Sequence, residues 1–210
     1  MLLTSNLLFR IPALLLAITF HEFAHGFIAY KLGDSTAKSQ GRLTLNPLVH
    51  LDPLGALALL LVGFGWAKPV PVNPMYFKGD RHRGMFLVGL AGPIMNFLLA
   101  FFIMLVLSVY RPLFSVPYLA DILYTAFMYN IFLGVFNLLP VPPLDGSRVL
   151  SYLLPANARY TYNSLEQYGP LLLMLLIFLP FNFLGKILYP MANLAGNIIF
   201  AVVGFLTGGF

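Results

Sequence analysis

The stretch His21-Glu22-Phe23-Ala24-His25 gathers two imidazoles and a carboxylate within five residues. On a helix, positions i and i+4 share a face, so both imidazoles can reach one metal ion. Glu22 directly follows the first of them, in place to take a proton from a metal-bound water. A centre of this kind needs a third protein ligand and one open position for water. The chain has no cysteine. The missing ligand must therefore be His, Asp or Glu, and no disulfide holds the fold.

The best source of that ligand is Asn137-Leu-Leu-Pro-Val-Pro-Pro-Leu-Asp145-Gly146. Pro140, Pro142 and Pro143 break the preceding helix and free its last carbonyls. Irregular backbone at membrane depth is tolerated only where it is buried in protein or lines a wet cavity. Asp145 arrives at about the depth of His25, and a carboxylate is a competent zinc ligand. A plainer reading makes Asp145-Gly146 a loop-end turn. Beside the first motif the metal reading is the stronger.

These residues must be held by elements that the composition identifies. Of 210 residues, 60% are apolar and 9% charged. Soluble globular domains carry about 25% charged residues. That deficit excludes a soluble enzyme, a nucleic-acid-binding module and a disordered chain, and leaves a polytopic membrane protein. Twelve Lys and Arg stand against seven Asp and Glu. In a membrane protein such an excess marks cytoplasmic loops.

A helix needs roughly 20 residues to cross the hydrocarbon core. Uncharged or nearly uncharged stretches that long are Leu7–Tyr30, Gly84–Tyr110, Ile122–Leu144, Gln167–Gly185 and Ile187–Phe210. The first could be taken for a signal peptide. Arg10 interrupts it, no small-x-small cleavage site follows, and the apolar pattern continues past the histidines, so a retained helix is expected. Pro53–Ala67 has 15 residues, a length that suits a re-entrant or interfacial segment better than a full span. Basic residues flank it on both sides (Lys31, Lys38 and Arg42; Lys68, Lys78, Arg81 and Arg83). Both flanks are therefore placed in the cytoplasm.

The expected architecture is an all-α membrane protein of about five spanning helices with one short membrane segment. It forms a single domain over residues 1–210, with a catalytic core at about 7–154 and a C-terminal helix pair at about 167–210. Gly41–Asn46 and Val70–Phe77 have the residue types of short strands and are expected to pair as a small hairpin. His25 lies six residues before Lys31, or about 9 Å along a helix, which puts the metal group inside the membrane towards its cytoplasmic face.

The motifs carry a family resemblance. H-E-F-A-H at 21–25, A-G-P-x-x-N at 91–96 and N-x-L-P-x-P-P-L-D-G at 137–146 together resemble the site-2 proteases, zinc metalloproteases that cleave within membranes. The closest likeness is to the compact branch without PDZ or CBS domains, also through Gly41–Pro47 and Trp66–Pro74. It covers roughly Leu7–Leu154, and the C-terminal third matches only by hydropathy. It implies that His21, His25 and Asp145 bind one zinc ion and that Glu22 is the general base. It also implies that Asn137 stands beside the metal and steadies the oxyanion, where an amide donor can stabilise developing charge. The plain alternative for Asn137 is a helix C-terminal cap. The implied substrate is a single-span transmembrane protein, with the lipid bilayer as medium and no nucleic acid. The location implied is the plasma membrane of a prokaryote, with the site towards the cytoplasm. Oligomeric state stays open.

Gly89, Gly92 and Asn96 fall at helical spacing. Small residues there allow close helix packing with Asn96 bonding across the contact, and a second reading has Asn96 shaping the substrate cleft. Gly63-Phe64-Gly65 and the proline-rich stretch after it could offer a strand edge to an unwound substrate, the alternative being an ordinary loop. His82, between Arg81 and Arg83, reads as solvated. His50 could approach the site, although the bland reading is stronger. Tyr160, Tyr162 and Tyr168 look like an interfacial belt. Two other functions fit an intramembrane His/Glu cluster: an ion or proton path, and a silent homologue acting as a regulator.

Overall fold

The computed structural model describes residues 2–62, 65–180 and 183–208. Among these the regular elements are helical: α1 (Leu2–Lys31), α2 (Thr36–Ser39), α3 (Pro53–Val62), α4 (Arg81–Val109), α5 (Leu119–Asn137), α6 (Asp145–Leu153), α7 (Ala156–Asn163), α8 (Gly169–Phe178) and α9 (Phe183–Thr207). Four are long and apolar enough to cross a membrane: α1 from Phe9 to Lys31, α4, α5 and α9.

Central to the bundle is α4, which packs against α1, α5, α6 and α9. Its start is fixed by Asp80, whose side chain accepts from the backbone N–H groups of His82 and Arg83. Lipid tails are as apolar as leucine, so the helices are held by close packing and internal polar contacts. Small buried residues on facing helices (Ala13, Ala100, Ala126 and Ala192) let the backbones approach. Phe127 and Ile131 of α5 fill the space between.

Two expectations from the sequence are corrected. The fifth span expected over Gln167–Gly185 contains instead a short 3-10 turn and the ten-residue α8. At 1.5 Å per residue α8 is about 15 Å long, half the hydrocarbon thickness. It stops because Pro180 forces Leu179 out of helical geometry, to φ −56° and ψ 133°. The ten-residue α3 is too short to cross by itself.

The second correction concerns the hairpin. No strand is present among the described residues, only an isolated bridge between Leu51 and Ala67. Pro69, Pro71 and Pro74 carry no N–H, so a ladder through Val70–Phe77 would lack donors. Side chains hold this stretch instead. Val70 N donates to Glu22 Oε2 at 2.8 Å, and Asn73 N donates to Asp34 Oδ2 at 2.6 Å. The guanidinium of Arg42 donates to the carbonyls of Lys68 and Pro69 at 2.8 and 3.3 Å. Asp34 and Arg42 are both buried, so these charge-assisted bonds work away from water. Residues 65–73 thus form a strip without regular secondary structure, tied to Glu22 of α1 and to Asp34 and Arg42 beyond its end.

Candidate metal centre

The motif of α1 meets the start of α6 through a gap in α4. His21 Nε2 and His25 Nε2 lie 3.0 Å apart, and Asp145 Oδ2 lies 3.1 and 3.2 Å from them. All three residues are largely buried, and together they form a group that could hold a metal ion. The edges of this triangle are close to the roughly 3.3 Å that separates ligand atoms around tetrahedral zinc with bonds of about 2.0–2.1 Å.

Hydrogen bonds to the far side of each ring decide what the near side presents. His25 Nδ1 lies 2.7 Å from the carbonyl of Val88, which can only accept, so Nδ1 carries a proton. His21 Nδ1 lies 2.6 Å from Asn96 Oδ1. Asn96 Nδ2 donates to the carbonyl of Ala17 at 3.1 Å and to Asn130 Oδ1 at 2.8 Å, so its oxygen must face His21. Both imidazoles therefore donate through Nδ1 and turn lone pairs inward at Nε2. Asp145 Oδ2 is buried with no hydrogen-bond donor. Three acceptors face one point. A proton on one edge would satisfy two of them, whereas a divalent cation satisfies all three, so the donor set fits zinc.

Two glycines of α4 make this meeting possible. A Cβ on Gly92 would stand 2.5 Å from His25 Nε2 and 2.7 Å from His21 Nε2. A Cβ on Gly89 would stand 3.1 Å from the Asp145 carbonyl and from Arg148 Cβ, so its absence lets α6 come close. Pro93 follows Gly92 and supplies no N–H to the preceding turn.

Glu22 is half-buried beside the two histidines in sequence, and its Oε2 accepts from Val70 N. Asn96 is fully buried and bonded to His21, a contact the helical spacing of Gly89, Gly92 and Asn96 did not disclose. Asn137 ends α5, and its Nδ2 donates at 3.0 Å to the carbonyl of Leu133 on its own helix. No bond from Asn137 to the metal group is present. Gly65 opens the clamped strip, while Gly63 and Phe64 lie outside the described residues. His50 is fully buried and hydrogen-bonded to the carbonyl of Thr44, apart from the metal group. His82 is exposed. Of the three expected belt tyrosines, Tyr162 donates its hydroxyl to the carbonyl of Pro140. Burial, with Glu166 nearby, pushes its phenol up.

Sequence reasoning did not find Val88, Asn130 or the role of Gly92. A backbone carbonyl has no sequence signature, and Gly92 acts through the side chain it lacks.

Membrane-crossing helices around a buried His/His/Asp group define a multi-pass membrane metalloprotein. The chain belongs to peptidase family M50, whose model matches residues 9–115 and 113–180. It is similar to the "Putative zinc metalloprotease YwhC" of Bacillus subtilis, with 41% identity over 88% of this chain and 86% of that protein. It is also similar to the "Putative zinc metalloprotease Rip2" of Mycolicibacterium smegmatis, with 31% identity over 79% of this chain and 65% of that one. A third relative is the "Putative zinc metalloprotease MJ0611" of Methanocaldococcus jannaschii, 33% identical over 63% and 64% of the two chains. No solved structure matches the chain.

Proposed function

We propose that this protein is an intramembrane zinc endopeptidase that hydrolyses peptide bonds in single-span transmembrane proteins, from the cytoplasmic side of a prokaryotic plasma membrane. The carrying observation is the triangle of His21 Nε2, His25 Nε2 and Asp145 Oδ2, three acceptors without a donor inside a bundle of membrane-crossing helices. These three residues are the zinc ligands. When bound, zinc polarises the scissile carbonyl and acidifies the attacking water.

The chain's own residues do the rest. Glu22 takes the proton of the attacking water as its oxygen bonds to the carbonyl carbon. It returns that proton to the amide nitrogen as the C–N bond breaks. Its Oε2 is tied to Val70 N, which fixes the carboxylate and leaves the other oxygen for the proton. A peptide bond inside a helix is shielded, so the substrate must be taken extended. The clamped strip at 65–73, with Trp66, Lys68 and Pro69 exposed, is the segment alongside which it lies. Basic residues at Lys31, Lys78, Arg81 and Arg83, at the ends of α1 and α4 nearest this site, support the cytoplasmic orientation.

The test uses purified chain in detergent with metal analysis and a cleavage assay on single-span substrates. Native protein is expected to hold zinc near one per chain and to cleave. Glu22→Gln should keep zinc and lose cleavage, whereas His21→Ala should lose zinc. Cleavage retained by Glu22→Gln would remove Glu22 from the mechanism.

A further inference from the structure

Asn130 has no hydrogen bond to the metal group, but it bonds the side chain of Asn96, which bonds His21. It lies on α5 and is fully buried, as is Asn96 on α4. The two carboxamides form a directed chain across the bundle. Asn130 Nδ2 donates to the carbonyl of Ala126 at 2.8 Å. That bond turns Asn130 Oδ1 towards α4, where it accepts from Asn96 Nδ2 at 2.8 Å. Asn96 Oδ1 is thereby turned towards His21 Nδ1.

The direction matters because a carboxamide is nearly symmetric in shape and opposite in chemistry at its two ends. If Asn96 flipped, its NH₂ would face His21 Nδ1. His21 would then carry its proton on Nε2, where it blocks a metal. Two acceptors oppose that flip, Ala17 O at 3.1 Å and Asn130 Oδ1 at the shorter 2.8 Å. The Ala126 carbonyl cannot donate, so the orientation of Asn130 is itself fixed from outside the pair.

We infer that Asn130 is a positioning residue for the metal centre, setting through Asn96 the tautomer in which His21 offers Nε2 to zinc. This rests on the proposed ligand role of His21. Partners of metal-bound histidines are typically worth about 10- to 100-fold in metal affinity. Asn130 is one of two anchors, so the low end is expected.

Five proteins test it, the native chain and four variants, each purified in detergent, with zinc affinity read by competition against a chromophoric chelator. Asn130→Leu keeps the volume and removes the acceptor, and should weaken zinc by about tenfold. Asn130→Asp, protonated in this buried site, offers a C=O to Asn96 and an O–H to Ala126, and should stay within about threefold of native. In an Asn96→Asp background both oxygens of residue 96 can accept from His21, so adding Asn130→Leu should cost less than about threefold. In zinc-free protein, ¹⁵N NMR of the histidines should show Nδ1–H for His21 in the native chain and a mixture in Asn130→Leu. If the leucine variant does not fold, Asn130→Ala replaces it with the same expectation.

Native-like zinc affinity in Asn130→Leu would overturn the inference. So would an Asn130→Asp as weak as the leucine variant, or an equal loss in the Asn96→Asp background. A native chain that binds no zinc would instead overturn the ligand assignment beneath it.

Discussion

Glu22 is the residue at which binding and chemistry come apart. Its carboxylate is not part of the His21–His25–Asp145 triangle, and its one visible bond is to Val70 N. Glu22→Gln keeps the shape and removes the proton acceptor, so the expected loss in kcat is that of a general base, about 10²- to 10⁴-fold. Zinc content should not change, and metal analysis beside the rate measurement checks both. The grouping of His21 with His25 was legible because its geometry is local and one helix turn fixes it. Asp145 was legible because the proline break and the depth argument brought it to the right level. The hydrogen bonds that give the histidines their tautomers were not legible. Two run from α1 to α4 across 75 and 63 residues, one of them ending on the carbonyl of Val88, and a third runs from α4 to α5 across 34 residues. Asn137 shows the converse. Its motif suggested a place beside the metal, and the bond its amide makes is to the carbonyl one turn back on its own helix.

At the scale of elements, the centre depends on how closely α6 can lie against α4. Gly89 is the point of contact, with Arg148 Cβ and the Asp145 carbonyl at the limit of ordinary approach to any added Cβ. Gly89→Ala asks for a shift of only a few tenths of an ångström. Gly89→Leu must push α6 away and carry Asp145 out of the triangle. Zinc affinity is expected to fall at least about tenfold in the leucine variant and far less in the alanine variant. Chelator competition on both checks this. The long helices were legible from charge-free length. The small hairpin was misread because residue types that favour strands were counted without asking what would donate to the ladder. The prolines answered that question, and Glu22, Asp34 and Arg42 took the place of a partner strand.

For the whole molecule, the number of crossings decides where the ends lie. In the proposed orientation, with α1 running from outside to inside, four spanning helices would return the end of α9 to the outer face. Five, as the hydropathy of Gln167–Gly185 suggested, would leave it inside. The absence of cysteine makes the experiment clean. A cysteine introduced at Gly208 should react with an impermeant maleimide in intact cells, and one introduced at Lys78 only after the membrane is opened. Labelling of both in intact cells would remove the cytoplasmic assignment of the loop between α3 and α4. Hydropathy alone could not decide between four and five, because α8 is apolar enough to cross and only its length forbids it.

Gly92 carries a last consequence, for how related sequences are judged. The space its missing side chain leaves lies directly against the two Nε2 atoms, so even one methyl group there would compete with the ion for its place. A chain with both histidines, Glu22 and Asp145 intact but alanine at position 92 should fold and take up little zinc. Its motifs would score as an active peptidase while the protein stood idle. Gly92→Ala is thus a switch-off variant that alters no ionisable group, and a complete ligand set does not by itself certify an enzyme.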